Sequence, residues 1–414
     1  MGTMTVNASR QVYRLLVLGC ILAAGVCDNP YVEMQPKKDI RSRFFGGQEG
    51  MGWTQPISDG ETSYSVIVVE ADSRASHLFR DMQRVRAYSE EGVASVQFAA
   101  PDVQTPLSSF EAPFAVAHPG NVDKRVRIVY LHDLNTEDPN QMAHLRASCE
   151  DEHEKTIIVI VDETCQMGAL PEAVSSSCGS EVNVVRIYPF NNASLDVTSI
   201  SAYIPLGPRC TFPFIARNNV QNAQDRSLLL NLQVGDSTTS PRRRSVMEMV
   251  DQFAMLNPEV RIWPSANRLS STEWQQLLLD SKFTIAPGGH NPETHRTWEA
   301  LEAGSIPIIS RNDFRHPGYQ LNNRSCGSGD VAWNTVAASP FARAVSVDTW
   351  DALPALLDAL AKKSDAEVSK LQAESMAWYS ALMRQTYKSM LNFGEGDDLF
   401  PQIGPIVDHG EGFR

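Results

Sequence analysis

The stretch 281-SKFTIAPGGHNPETHRTWEALEAGSIPIIS-310 decides the fold of this chain. It reads as strand, tight turn, helix, strand. Residues 282–286 form a short apolar-rich run. Pro287-Gly288-Gly289 closes it, supplying turn chemistry and letting backbone approach a ligand. A helix is expected to start near Pro292-Glu293 and to stop at Gly304, a residue type suited to ending helices. Residues 306–309 follow as a second buried strand, with Pro307 near its start, where strands tolerate proline. Strand, glycine-rich turn and helix N-terminus together make an anion site, because unpaired N–H groups and the helix dipole face one point. Arg296 and Glu299 stand three apart and so share a helix face. A cation for a diphosphate and a carboxylate for ribose hydroxyls is the natural use of such a pair. The bland alternative is an ordinary surface ion pair. The residues alone make this stretch a nucleotide-site candidate.

The pattern S-K-F-x-x-x-P-x-G from Ser281, then E-x-x-R-x-x-E-A-L-x-x-G-x-I-P-I-I from Glu293, resembles the exostosin-like (family 47) glycosyltransferases. It is most similar to the branch containing the ribitol xylosyltransferases of the secretory pathway. The resemblance is softer over residues 226–360 and faint before residue 204. It implies an α/β protein of GT-B architecture, with two Rossmann-like domains facing across a cleft. A nucleotide sugar, expected to be UDP-linked, would bind the second domain as co-substrate. The resemblance assigns Arg296 to the donor diphosphate and Glu299 to the ribose. Gly288 and Gly289 would open backbone to the phosphates, and His290 would add a hydrogen bond unless it is simply an exposed loop residue. It also implies diphosphate contact for Arg242 and Arg243, at the start of a helix; a solvated basic turn is the alternative. Many retaining GT-B enzymes carry E-x7-E before the helix end. Counting back from Glu299, that position holds Asn291, and Glu293 is offset by two, a departure that leans toward inversion.

A chain of 414 residues accommodates two ordinary domains. Its 42% hydrophobic and 21% charged residues are those of a globular protein. The net charge of −13 argues against a nucleic-acid partner, which needs a basic face. Near the start, Arg10 and Arg14 precede LLVLGCILAAGVC at residues 15–27, shorter than the roughly 20 residues that span a bilayer. A signal peptide fits, with a short type II signal-anchor as the rival and a buried core helix last. Either leading option puts the remainder in the secretory lumen, with the Golgi, as lumenal or membrane-anchored protein, the expected station. Beyond the leader lie Cys149, Cys165, Cys178, Cys210 and Cys326. Their spacing is not that of a metal site, and one or two disulfides suit an oxidising lumen. Asn192 and Asn323 head possible glycan sequons.

The expected organisation is a leader over residues 1–27, a stem over 28–60, an acceptor-side α/β domain over 61–207 and a linker over 208–225. A donor domain over 226–395 and a tail over 396–414 complete it. In the first domain, β-branched runs at residues 66–69, 126–131, 156–161 and 182–187 indicate a parallel sheet covered on both faces. In the second, residues 228–234 read as a strand. Ser240 and Pro241 then suit the N-cap and first turn of a helix. Further helices are expected over residues 271–280, 350–361 and 367–392.

An inverting transferase needs a general base for the acceptor hydroxyl. Asp162 and Glu163 follow the strand at 156–161, where α/β sheets place functional groups, and the resembled branch tends to carry an acidic pair there. His132-Asp133 is a second candidate and Glu70 with Asp72 a third. Acidic residues also end strands for solubility alone. No D-x-D is placed for a metal and His/Cys clusters are absent, so no obligate metal or other cofactor is expected. Arginines and a helix dipole can neutralise the leaving nucleotide. The reading is a lumenal inverting glycosyltransferase acting on a glycan or glycoprotein acceptor. The alternative is a non-catalytic lumenal glycan-binding or co-polymerase subunit of the same fold. A dinucleotide enzyme ranks last, because no G-x-G-x-x-G follows the first strand.

Overall fold

The computed structural model describes residues 53–54, 63–70, 82–89, 92–99, 124–132, 155–161, 183–187, 200–209, 211–233, 241–258, 260–265, 269–288, 293–315 and 330–392, with single positions at 143, 146 and 178. All belong to one compact unit, Gly52–Arg414.

Two parallel sheets make up the core. The first holds β1 (Trp53–Thr54), β2 (Ser63–Glu70), β3 (Gly92–Ala99), β4 (Lys124–His132), β5 (Lys155–Val161), β6 (Asn183–Ile187) and β7 (Ile200–Tyr203). Its order is β1-β3-β2-β4-β5-β6-β7, parallel throughout except for β1, which runs antiparallel to β3. Ile128, Ile157 and Val159, which share one face of this sheet, are fully buried. Three strands of this sheet escaped the sequence reading, β7 among them. β3, GVASVQFA, mixes small and polar residues among its apolar ones, and β1 falls in the stretch read as a stem.

The second sheet has the order β11-β10-β8-β9, built from β8 (Leu228–Gln233), β9 (Ile262–Ser265), β10 (Ser281–Ile285) and β11 (Ile306–Ile308). All its pairings are parallel. Pro264 and Pro307 both sit in its edge strands, where a missing N–H leaves no ladder bond unmade. The second sheet with its crossovers is a Rossmann-like unit, and a pair of parallel sheets of this kind is the two-part α/β architecture that GT-B requires.

The crossovers of the second sheet are α2 (Pro241–Leu256), α3 (Ser271–Asp280) and α4 (His295–Glu302). A capping box starts α3: Glu273 N donates to Ser270 Oγ at 3.3 Å, and Ser270 N donates to Glu273 Oε2 at 2.8 Å. Gly304 stops α4 at φ 70°. A Cβ there would also stand 2.6 Å from Val220 Cγ1, so both backbone and space demand glycine. The carbonyl ends of α3 and α4 are tied by Arg226, which donates to the Leu278, Ser281, Ala303 and Gln221 oxygens at 2.7–3.1 Å.

After β11 come α5 (Arg311–Arg315), α6 (Asp330–Ala337), α7 (Pro340–Val345), α8 (Leu353–Ala361) and α9 (Asp365–Asn392). The long α9 packs back onto α1 (Met82–Tyr88) of the first sheet, where Tyr88 and Tyr379 meet edge to face at 6.0 Å. Beside them Arg84 Nη2 and Glu302 Oε1 form a fully buried ion pair at 2.8 Å, and Tyr379 Oη donates to Glu302 Oε2 at 3.1 Å. Helix α4 is therefore gripped at its C-terminal end by the helix that follows β2.

Candidate donor site

The second sheet changes direction between β8 and β10. The chain leaves β8 toward β9 on one side and comes back as β10 on the other. At such a switch point the crossovers diverge and leave a crevice beyond the carboxyl ends of the strands. The segments that follow β8 and β10 lead into α2 and α4, so both helix N-termini start there. Arg242 and Arg243 stand in the first turn of α2, and Gly288 lies three residues past β10.

These residues meet. Arg243 Nε donates to the Gly288 oxygen at 3.2 Å, and Arg242 Nη1 donates to Asp313 Oδ1 at 2.6 Å. Asp313 comes from α5 and also accepts from Gly288 N at 2.8 Å and from Trp350 Nε1 at 3.0 Å. Burial pushes its carboxyl up, against the pull of Arg242 and these hydrogen bonds. One buried acid thus fixes the glycine turn and one arginine together. A side chain at residue 288 would crowd it, since a Cβ would lie 3.1 Å from Asp313 Oδ2.

The N-terminal turn of α4 is fastened to residues 204–209, which leave the first sheet. Leu206 N donates to Glu293 Oε1 at 2.6 Å, and Trp298 Nε1 donates to the same oxygen at 2.8 Å. His295 Nδ1 meets the Gly207 oxygen at 2.8 Å. That oxygen only accepts, so the imidazole carries its proton on Nδ1. Burial pushes His295 down to about 4, more than Glu299 and the carbonyl bond pull it up, and the ring is neutral. Two residues on, Arg209 Nε donates to Glu299 Oε1 at 2.8 Å.

Glu299 is fully buried. Trp274 Nε1 donates to its Oε2 at 2.7 Å and Arg209 Nη2 to the same oxygen at 3.3 Å. Burial alone would raise its carboxyl, but the Arg209 charge and the hydrogen bonds from Arg209 and Trp274 hold it below the ordinary range. Arg296, one turn earlier, is half-buried and pushed down to about 10, first by burial, then by Arg243 and Arg209, with Glu299 opposing. No described residue accepts a hydrogen bond from its guanidinium. Three arginines from three segments converge beside a glycine turn, an arrangement that suits a multiply charged anion.

Residues 210–395 match the family described as the RXYLT1 C-terminal domain. This part of the chain is similar to that domain. Ribitol-5-phosphate xylosyltransferase 1 of Danio rerio is 26% identical over 180 residues, 42% of this chain and 39% of that protein. The Mus musculus protein of the same name is 24% identical over 173 residues, 41% of this chain and 38% of its own length. The chain thus spans about two-fifths of the length of the curated relatives it matches. Among solved structures, an α-glucosyltransferase in complex with UDP and DNA is similar at a TM-score of 0.44 and 7% identity, covering 77% of this chain and 95% of that one. A trehalose 6-phosphate synthase of Burkholderia multivorans follows at 0.39 and 10%, covering 80% and 96%. Both are distant likenesses.

The matched span contains Arg242, Arg243, Gly288, Arg296 and Glu299, which the structure brings together. Gly289 and His290 lie outside the described residues, as do Asp162 and Glu163, which come directly after Val161 at the end of β5. Glu70 ends β2 and His132 ends β4. Those strands are neighbours at the switch point of the first sheet, while Asp72 and Asp133 are not described. Sequence reasoning missed Arg209, Asp313, Trp274 and Glu293. Asp313 stands three residues past the quoted stretch, and a search for acids following β11 would have found it. Among the described residues no group of three His, Cys, Asp or Glu is placed to hold a metal, and no helix is long and apolar enough to cross a membrane.

Proposed function

We propose that this chain is an inverting glycosyltransferase of the secretory pathway, moving a sugar from a UDP-linked donor to a glycan or glycoprotein acceptor. The observation that carries the reading is the convergence of Arg243, Arg296 and the Gly288 turn at the β8/β10 switch point, with Arg296 donating to no described residue. The acceptor hydroxyl attacks the anomeric carbon, the bond from that carbon to the diphosphate oxygen breaks, and the nucleoside diphosphate leaves with the electron pair. Arg296 and Arg243 neutralise the charge that grows on it. Gly289 and His290 line the same turn on this reading. A base from the first unit takes the acceptor proton, and Asp162 and Glu163 after β5 are the first candidates. Asn291, where retaining enzymes carry glutamate, favours inversion. A disulfide at Cys178 and the apolar run at 15–27 favour the secretory compartment, lumenal or anchored in the Golgi membrane.

The relatives' activity makes xylose the first sugar to test and ribitol 5-phosphate the first acceptor. Purified protein is screened against UDP-xylose and other UDP-sugars, with ribitol-phosphate-bearing and glycan acceptors, for released UDP and for transfer. Turnover of a UDP-sugar to an acceptor supports the reading. Tight UDP binding without transfer to any acceptor replaces it with the non-catalytic subunit. Failure to bind any nucleoside diphosphate ends both.

A further inference from the structure

We infer that Asp313 is a positioning residue of the donor site, and that Gly288 and Arg242 serve it instead of touching the diphosphate themselves. The inference rests on the donor reading above and reassigns two residues that the resemblance puts on the phosphates.

Both backbone groups of Gly288 are already occupied. Its N–H donates to Asp313 Oδ2 at 2.8 Å, and its oxygen accepts from Arg243 Nε at 3.2 Å. A residue carries one backbone N–H, and this one is not offered to a phosphate oxygen. The local backbone does not call for glycine either. Gly207 and Gly304 lie at positive φ, and Gly288 does not. What excludes a side chain is space. The three atoms nearest to a Cβ at residue 288 all belong to Asp313, at 3.1–3.4 Å. The glycine makes room for the acid.

Arg242 is committed to the same carboxylate. Its Nη1 donates to Asp313 Oδ1 at 2.6 Å, and the acid is 2% exposed. An arginine that left it for a ligand would strand a buried charge, which is costly. Asp313 is itself held. Arg311 N and Asn312 N donate to the Val347 and Asp348 oxygens at 2.8 and 2.9 Å, which pins the start of α5. Trp350 Nε1 lies 3.2 and 3.0 Å from the two carboxylate oxygens. One fixed carboxylate therefore joins the turn after β10 to the first turn of α2. Arg243 stands in that first turn of α2, next to Arg242. Asp313 thus acts on the donor by holding the groups that bind it, without contact of its own.

The test is a pair of double-variant cycles on the intact chain. Calorimetry reads UDP, GDP and ADP, each beside its parent nucleoside, and urea unfolding is followed in parallel. For the diphosphate that the wild type binds best, Asp313→Ser is expected to weaken binding about ten-fold and to change nucleoside binding little. Arg242→Ala should weaken diphosphate binding in the wild type and add less than about two-fold in the D313S background. Gly288→Ala should behave in the same way, because serine leaves room for the methyl group. Should D313S not fold, the Arg242 cycle is run on Asp313→Asn, which fills the same volume without the charge. An Arg242→Ala loss as large without Asp313 as with it would put Arg242 on the diphosphate and overturn the inference. Equal Gly288→Ala losses in both backgrounds would return the glycine to the phosphates and overturn it too. Unchanged diphosphate affinity in D313S, or equal loss for nucleoside and diphosphate, would reduce Asp313 to a structural residue. If the wild type binds no diphosphate at all, the donor reading fails first and takes this one with it. The urea cycle then reports the Gly288–Asp313 contact alone.

Discussion

Arg226 and Arg296 are both pushed down to about 10 by burial, yet they do different things. Arg226 gives its N–H groups to three backbone carbonyls at the ends of α3 and α4 and to one in the loop before β8. Arg296 gives none to any described residue and faces two further arginines instead. Desolvation is common to both, so a perturbed arginine is no marker of a site by itself. The partner inventory separates them. A cation surrounded by acceptors holds the fold, whereas one beside two other arginines and without a described acceptor is placed to take an anion.

The sharpest way to break this contrast is Arg226→Ala. It leaves buried carbonyls at two helix ends without donors and should cost about 3 kcal/mol or more in urea unfolding. Nucleotide affinity per folded molecule should stay as it was. A stability loss under half that size would mean that water replaces the guanidinium readily.

Arg296→Ala should do the reverse. Stability should hold or rise slightly as repulsion with Arg243 and Arg209 is relieved. Affinity for UDP should fall by roughly 1.5–3 kcal/mol, as for a charged hydrogen-bonding partner. Unaltered UDP binding in this variant would remove Arg296 from the site. Raising salt should weaken UDP binding by the wild type and change uridine binding little, because exposed charge interactions are screened.

The smallest effect sits beside Arg296. His295 has a folded value near 4 against about 6.5 unfolded, so the unfolded chain binds the extra proton. Its contribution is complete above pH 6.5 and is lost as pH falls toward 4, on the order of 1–2 kcal/mol by pH 5. His295→Gln keeps a donor for the Gly207 oxygen and cannot titrate. Its stability should therefore fall less between pH 7 and pH 5 than that of the wild type. Parallel pH profiles would show that the ring is not buried neutral.

Much of the second unit was legible because its signals are local. The 281–310 stretch forms β10, α4 and β11, each within a few residues of where its pattern puts it, and Gly304 stops the helix by its own backbone. The helix at 271–280 is recovered residue for residue, and the one expected from Pro241 runs on to Leu256. The first unit was legible as strands of β-branched residues, and β3 was lost because small and polar residues dilute its pattern.

Sequence alone therefore determined much of the alternation of strands and helices, the parallel sheets and the glycine that stops α4. These depend on residues a few positions apart, where turn chemistry and side-chain period act directly. Only the tertiary structure decided which arginine is spent on backbone carbonyls and which is left without a described acceptor. It also decided that Glu299 is held by a residue 90 positions earlier and that Gly288 rests on an acid 25 positions later. Charge partners are chosen by distance in space, and that distance exists only once both sheets have packed.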